Sequence, residues 1–280
     1  MHVDFKNSDW RVIFDKPANG ALNMAVDEAI LESVVIGGSL PTLRLYAWEP
    51  PCVSLGYAQP VSDVSMVELS KRDYELVRRP TGGRAILHTD ELTYSVSGPL
   101  DEPRLAGGVL KSYNILAQAL LRALQSLGVP AVSEERSQDQ SRIEGEKNNP
   151  VCFEVPSTYE ITFGGKKLIG SAQARRKGGV LQHGTLPLKG DLTRLIQVLI
   201  FPDQESRMDA AFRLLDKAAT IQDVTSNLVE WDTAAQAFAD AFSKVLNLNL
   251  IVGNLSESEA KRAGELTDKK YLNPEWINRV

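Results

Sequence analysis

The sequence predicts an α+β domain in which a mixed β-sheet packs against helices. Three observations carry that reading. Short strand-like runs bounded by turn residues recur along the chain, at 10–14, 43–48, 53–57, 75–79, 92–97 and 180–188. Two long stretches, 21–35 and 105–127, repeat apolar residues at helical spacing. Between strands lies a run dense in glycine and charge, Arg78-Arg79-Pro80-Thr81-Gly82-Gly83-Arg84, continuing to His88, Asp90 and Glu91.

In chain order, 10–14 is a short strand. The helix over 21–35 puts Leu22, Ala25, Val26, Ala29, Ile30 and Val34 on one face. Strands 43–48 and 53–57 are joined by Glu49-Pro50-Pro51, which can continue neither. Ser62 or Asp63 caps a helix running to about Lys71. Strands 75–79 and 92–97 flank the glycine segment. The longest helix, 105–127, carries Val109, Tyr113, Leu116, Leu120 and Leu124 in register, with Gly128 and Pro130 as its stop. The span 133–150 is polar and poor in large apolar residues, which predicts a mobile loop. Gly164-Gly165 marks a hairpin between 159–163 and 166–169, with Thr162 opposite Lys167 and Lys166 on the other face. After the strand at 180–188 come helices at 192–201, near 208–215 and at 233–246, then a closing strand at 248–252. The catalytic unit is expected to span 1–252, with 253–280 a short helix, 257–266, and a polar tail.

A chain of 280 residues with 43% hydrophobic content can build one sizeable core. A net charge of −5 gives no general case for nucleic-acid binding, though a local basic patch could still dock an acidic carrier protein. No apolar run is long enough to cross a membrane. The N-terminus lacks the apolar core of a signal peptide, and two cysteines make no disulfide framework. A reduced, cytoplasmic protein follows. His2, His88 and His183 with Cys52 and Cys152 lack metal-ligand spacing, so no metal is expected.

The segment from Arg78 to His88 resembles the Arg-Arg-x-[Ser/Thr]-Gly-Gly-[Gly/Arg]-x-x-x-His signature of the biotin/lipoate protein ligase superfamily. The resemblance extends over roughly 10–252. It implies a single ligase-like catalytic domain and a pocket for lipoate, octanoate or biotin. Arg79, Thr81, Gly82, Gly83, Arg84 and His88 would wall that pocket. Gly82 and Gly83 permit positive φ and close approach of a ligand to the backbone. Arg84 stands where the ligase branch commonly has a third glycine, which leans toward a transferase with no adenylate to hold.

Cys152, between Val151 and Phe153, is by residue type an ordinary buried small hydrophobe. Its setting Cys152-Phe153-Glu154-Val155-Pro156-Ser157 resembles the LipM-type octanoyltransferase family, where that cysteine carries the acyl group. Lys167, by residue type a solvated hairpin lysine, matches the superfamily's Lys-x-x-Gly-Ser-Ala. The match implies a lysine in the acyl pocket that hydrogen-bonds the acyl oxyanion and favours the Cys152 thiolate. Whether it also acts as a base stays open. Gly170, Ser171 and Ala172 leave room for an acyl chain. His88 and His183 could shuttle protons, but a hydrogen-bonded structural role is favoured, with His183 a pocket-wall residue. Leu92, Tyr94, Ile86 and Leu168 are candidate apolar walls. Cys52, and Asn23, Asp27 and Glu28 on the first helix, are assigned to the scaffold.

The resemblance implies an acyltransferase with no cofactor. It would move octanoate from octanoyl-acyl-carrier-protein through Cys152 to a lysine of the glycine-cleavage H protein or a 2-oxoacid dehydrogenase lipoyl domain. The alternatives are an ATP-dependent lipoate–protein ligase, a lipoyl or octanoyl amidotransferase on the same fold, and a non-catalytic lipoyl-binding module.

Overall fold

The computed structural model describes residues 5–135 and 159–280. Strands β1 (Ser8–Phe14), β2 (Thr42–Tyr46), β6 (Glu91–Pro99), β7 (Val132–Glu135), β8 (Tyr159–Phe163), β9 (Lys166–Arg176), β10 (Gly179–Pro187) and β11 (Leu248–Val252) form one mixed sheet. Its order is β11-β1-β2-β6-β10-β9-β8-β7. β1 runs parallel to β11 and β2; every other pair is antiparallel. A smaller sheet holds β3 (Cys52–Leu55) between β4 (Glu75–Arg78) and β5 (Ile86–His88). The strand β5, inside the glycine segment, is too short to leave a period in the sequence.

Helices α3 (Val109–Ser126) and α6 (Trp231–Leu246) cover one face of the large sheet. Leu92, Tyr94 and Val96 of β6 meet Leu120, Phe238 and Phe242 there, in a dry core. Burying each such large side chain contributes roughly 1.5–3 kcal/mol. On β6 the alternate residues Glu91, Thr93, Ser95 and Ser97 face the other way, and all four are buried. They meet α1 (Gly20–Val35), which packs against β6 and β10 on one side and against β3 and β4 on another. A helix enclosed on several sides has no solvent stripe, and α1 is buried nearly all round. Its start is fixed by Asn19, whose side chain accepts from the Leu22 N–H at 2.8 Å.

Several boundaries differ from the sequence reading. The long helix begins at Val109, because Gly107 sits at φ +90° and Gly108 caps it. The expected helix at 192–201 is a single 3-10 turn, Leu192–Leu195. The Ile196–Leu199 run is apolar enough to look helical, yet Pro202 keeps Phe201 out of helical backbone. Helices α2 (Met66–Lys71), α4 (Gln204–Lys217) and α5 (Ile221–Thr225) frame the small sheet and the start of α6. The span 133–150 begins as the end of β7; 136–150 lies outside the described residues. Residues 253–280 pack onto the fold, with the expected helix at 257–266 and two further turns where a polar tail was expected. Ser256 and Glu259 form a capping box on α7 (Glu257–Leu266), and Glu259 accepts two bonds of 2.7 Å from Arg11 on β1. Burial would raise the Glu259 pKa, but Arg11 and the Ser256 N–H hold it down at about 2. Beyond α7, Tyr271 is buried and donates to Glu28 at 2.6 Å, and α8 (Pro274–Ile277) closes against β4. Among the described residues, no helix is long and apolar enough to cross a membrane.

Candidate active site

A cavity of about 290 Å³ lies between the glycine segment, β9 and β10, near the lower bound of small-molecule pockets. Gly82, Gly83, Arg84 and Ile86 form one wall; Lys167, Gly170, Ser171 and Ala172 of β9 form another. His183, Gly184 and Thr185 of β10 close the third, and Met24, Trp48 and Thr93 lie on its inner side. Arg79 and His88 also reach it. Thr81 does not line the cavity but is bonded to His183. Cys152 lies outside the described residues.

Of the expected apolar walls only Ile86 lines the cavity. Leu92 and Tyr94 point into the α3–α6 core on the far side of the sheet, as does Leu168 beside Lys167. On β6 the two-residue period decides this, since with Thr93 toward the cavity Leu92 and Tyr94 face away; on β9 a register shift between Lys167 and Ile169 puts both Leu168 and Ile169 into the core. The hairpin places Thr162 opposite Lys167 and Phe163 opposite Lys166. Lys167 is buried, 4% exposed, at the cavity wall, whereas Lys166 reaches outward to the Leu215 carbonyl at 2.6 Å.

The tandem arginines hold backbone. Arg79 donates to the carbonyls of Ser54 (2.8 Å), Gly82 (2.8 Å) and Arg84 (2.8 Å), pinning the glycine segment to β3. Arg78 donates to the carbonyls of Gly56 (2.8 Å), Gln59 (2.6 Å) and Ile277 (2.6 Å). Only one of the two glycines takes positive φ, Gly83 at +94°. The close approach there is to Gly56, where an added Cβ would overlap the Gly83 carbonyl. No turn signal in the sequence marks Gly56 for this role.

Each of the two cavity histidines is set between a hydroxyl and a carboxylate. His88 Nδ1 lies 2.6 Å from Glu91 Oε1, and its Nε2 lies 2.8 Å from Ser54 Oγ. An ionised Glu91 only accepts, so Nδ1 donates to it; Ser54 Oγ, on the other ring nitrogen, also accepts from Arg79 at 3.1 Å. Trp48 stacks on this ring, centroids 3.9 Å apart, and donates to Thr93 Oγ1 at 2.8 Å. His183 Nε2 lies 2.5 Å from Thr81 Oγ1, and its Nδ1 lies 3.6 Å from Asp27 Oδ2. The latter is an electrostatic contact, too long for a hydrogen bond. Asp27 accepts from Arg44 (2.9 Å), Tyr46 (2.9 Å) and Ser95 (2.8 Å). Burial pushes the Asp27 carboxyl up, but His183, Arg44 and Ser95 outweigh it and hold its pKa below the usual range. Burial lowers the His183 pKa, with Asp27 opposing and Arg79 and His88 adding to the fall. Asp27, placed with the scaffold by sequence, therefore stands directly behind a cavity residue. Its signal was a buried-type helix carrying Asn23 and Asp27 four apart on one face.

Cys52 is fully buried, and burial with Glu75 and Glu91 nearby pushes its thiol pKa well up. That is an inert thiol. Among the described residues, no group of three His, Cys, Asp or Glu side chains could hold a metal.

A family model of the lipoyl protein ligase A/B catalytic domain matches residues 19–243. The chain belongs to that family. It is 40% identical over 276 residues to octanoyltransferase LipM of Carboxydothermus hydrogenoformans, covering 96% of this chain and 98% of the relative. To octanoyltransferase LipM of Brevibacillus brevis it is 38% identical over 271 residues, covering 95% and 98%. Among solved structures, a chain from the bi-partite lipoate protein ligase and E2 lipoyl domain of Thermoplasma acidophilum matches with TM-score 0.78 at 30% identity, over 96% of both chains. Within the lipoyl protein ligase A/B family, this chain is an octanoyltransferase of protein lipoylation. The mixed sheets packed with helices are that family's single catalytic domain.

Proposed function

We propose that octanoate arrives on octanoyl-acyl-carrier-protein, is held as a thioester on Cys152, and leaves on the ε-amine of a lysine in a lipoyl-accepting protein. The acceptor is the glycine-cleavage H protein or a 2-oxoacid dehydrogenase lipoyl domain. The observation that carries this reading is Lys167, buried at the wall of a small cavity whose other walls are the glycine segment and β10. As donor to the acyl oxygen it stabilises the tetrahedral oxyanion of both steps. In the first, the Cys152 thiolate attacks the octanoyl thioester carbonyl, and the C–S bond to the carrier breaks, releasing the carrier thiolate. In the second, the neutral acceptor amine attacks the acyl-Cys152 carbonyl. The Cys152 thiolate leaves and the amine loses a proton, giving the amide. Neither step consumes a nucleotide, because the donor is already a thioester. A thiolate nucleophile fits a reducing, cytoplasmic setting.

Incubating the protein with octanoyl-carrier protein in the absence of ATP should give an octanoyl mass adduct mapped to Cys152. Cys152→Ala should abolish the adduct, and Cys52→Ala should retain it, since that sulfur is sealed in the core. Strict dependence on ATP, or transfer persisting in Cys152→Ala, would overturn the reading.

A further inference from the structure

The acyl cavity shares Gly82, Gly83, Arg84 and Gln173 with a second, more open groove of about 500 Å³. Among the described residues, no carboxylate lines this groove, whereas Arg84, Arg175 and Arg176 do. Tyr57 stands in its wall with two guanidiniums over one ring: Arg176 at 4.0 Å and Arg279 at 3.7 Å from the centroid. Like charges brought together on a single ring repel. Neither Arg176 nor Arg279 forms an ion pair among the described residues, and both are exposed. Arg175 is differently placed, with its Nη2 on the Leu105 carbonyl at 3.0 Å. The charge is felt behind the groove as well: the Arg78 pKa is lowered, by burial first and by Arg279 second. In a chain of net charge −5 this is a local concentration of positive potential.

The groove and the cavity lie along one strand. Lys167 and Gly170 of β9 sit at the cavity, and Arg176 ends the same strand at the groove. Six residues of strand, from 170 to 176, span about 20 Å. An extended pantetheinyl arm separates its phosphate from its thioester by a comparable length.

We propose that Arg176 and Arg279, braced on Tyr57, bind the phosphate of the pantetheinyl arm whose thioester enters the acyl cavity. This rests on the carrier-protein donor named above and adds the residues that would select it. The two guanidiniums are anchored on one ring, and a phosphate that accepts from both beside it offsets their mutual repulsion. A nucleotide offers the same phosphate chemistry from another source, so the experiment separates the two.

The test is calorimetric titration of the full chain with 4′-phosphopantetheine, pantetheine and ATP. Phosphopantetheine should bind at least about 10-fold more tightly than pantetheine, the scale of one charge-assisted hydrogen bond. Arg176→Gln and Arg279→Gln should each weaken phosphopantetheine about 10-fold and leave pantetheine affinity unchanged, which also shows the variants folded. Equal binding of the two arms would overturn the proposal, as would unaltered phosphopantetheine binding in both variants. So would parallel loss of pantetheine, or ATP binding more tightly than phosphopantetheine. Binding needs neither turnover nor Cys152. If acylation of Cys152 fails while the arginine-dependent phosphate increment survives, the transfer reading falls and the arm site stands.

Discussion

Two hydroxyl–imidazole–carboxylate clusters flank the cavity, and they differ in how their charge is balanced. Behind His183, the Asp27 carboxylate is paired with Arg44, itself 1% exposed, and takes further bonds from Tyr46 and Ser95. Behind His88, Glu91 is met by the imidazole and by Thr93, whose hydroxyl lies 2.6 Å away. Arg44 also bonds Asp15 and both the carbonyl and side-chain oxygens of Asn23, so the Asp27 cluster ties α1, β1 and β2 together. The Glu91 cluster ties β6 to β3 through Ser54 and to the glycine segment through Arg79. One cluster is a joint of the scaffold; the other belongs to the pocket wall.

Asp27→Asn should give the largest effect. It leaves Arg44 buried with only the half-exposed Asp15 as counter-charge, a loss of about 3–5 kcal/mol in urea unfolding at neutral pH. Glu91→Gln removes a buried acceptor without stranding a cation, and should cost about 1–3 kcal/mol in the same measurement. Equal losses from the two substitutions would show that Arg44 is not what separates the clusters. The smallest effect is in pH dependence. His183 has a lowered pKa and is held neutral in the fold, so the unfolded chain takes up the proton first as pH falls. Its contribution is complete above about pH 6.5 and is lost below it, with a slope no steeper than about 1.4 kcal/mol per unit. His183→Gln should flatten stability below about pH 6.5. Asp27 has a depressed pKa, so its contribution is present above about pH 3.9 and falls away only below that. A shoulder near pH 6 that persists in His183→Gln would assign it to another group.

The contrast also marks what the sequence could tell. The sheet and the major helices carry strong periods, and β11 and α7 fall on the residues their patterns predicted. The glycine segment, Lys167 and His183 were legible because motif spacing places them. Asp27, Glu91, Thr93 and Ser54 were not, because their partners are distant in sequence and a polar residue on a strand reads as solvent-facing. The row Glu91, Thr93, Ser95 and Ser97 alternates with apolar residues as an exposed face would, yet α1 and the cavity cover it. The partners of the arginines were hidden for a related reason. Charge was visible at Arg78 and Arg79, but a guanidinium can spend its donors on backbone carbonyls, and only the fold shows which carbonyls are within reach.

Cys52 lies where α1 meets β3, so close to Gly20 that a Cβ there would overlap its sulfur. In a Cys152→Ala protein it is the only thiol left. That sulfur becomes a stopwatch. A thiol reagent can reach it only when α1 lifts from the small sheet, so the modification rate in native buffer times a local opening of the ground beneath the cavity. Comparing that rate with and without an octanoyl donor would tell how firmly a filled pocket holds its own floor.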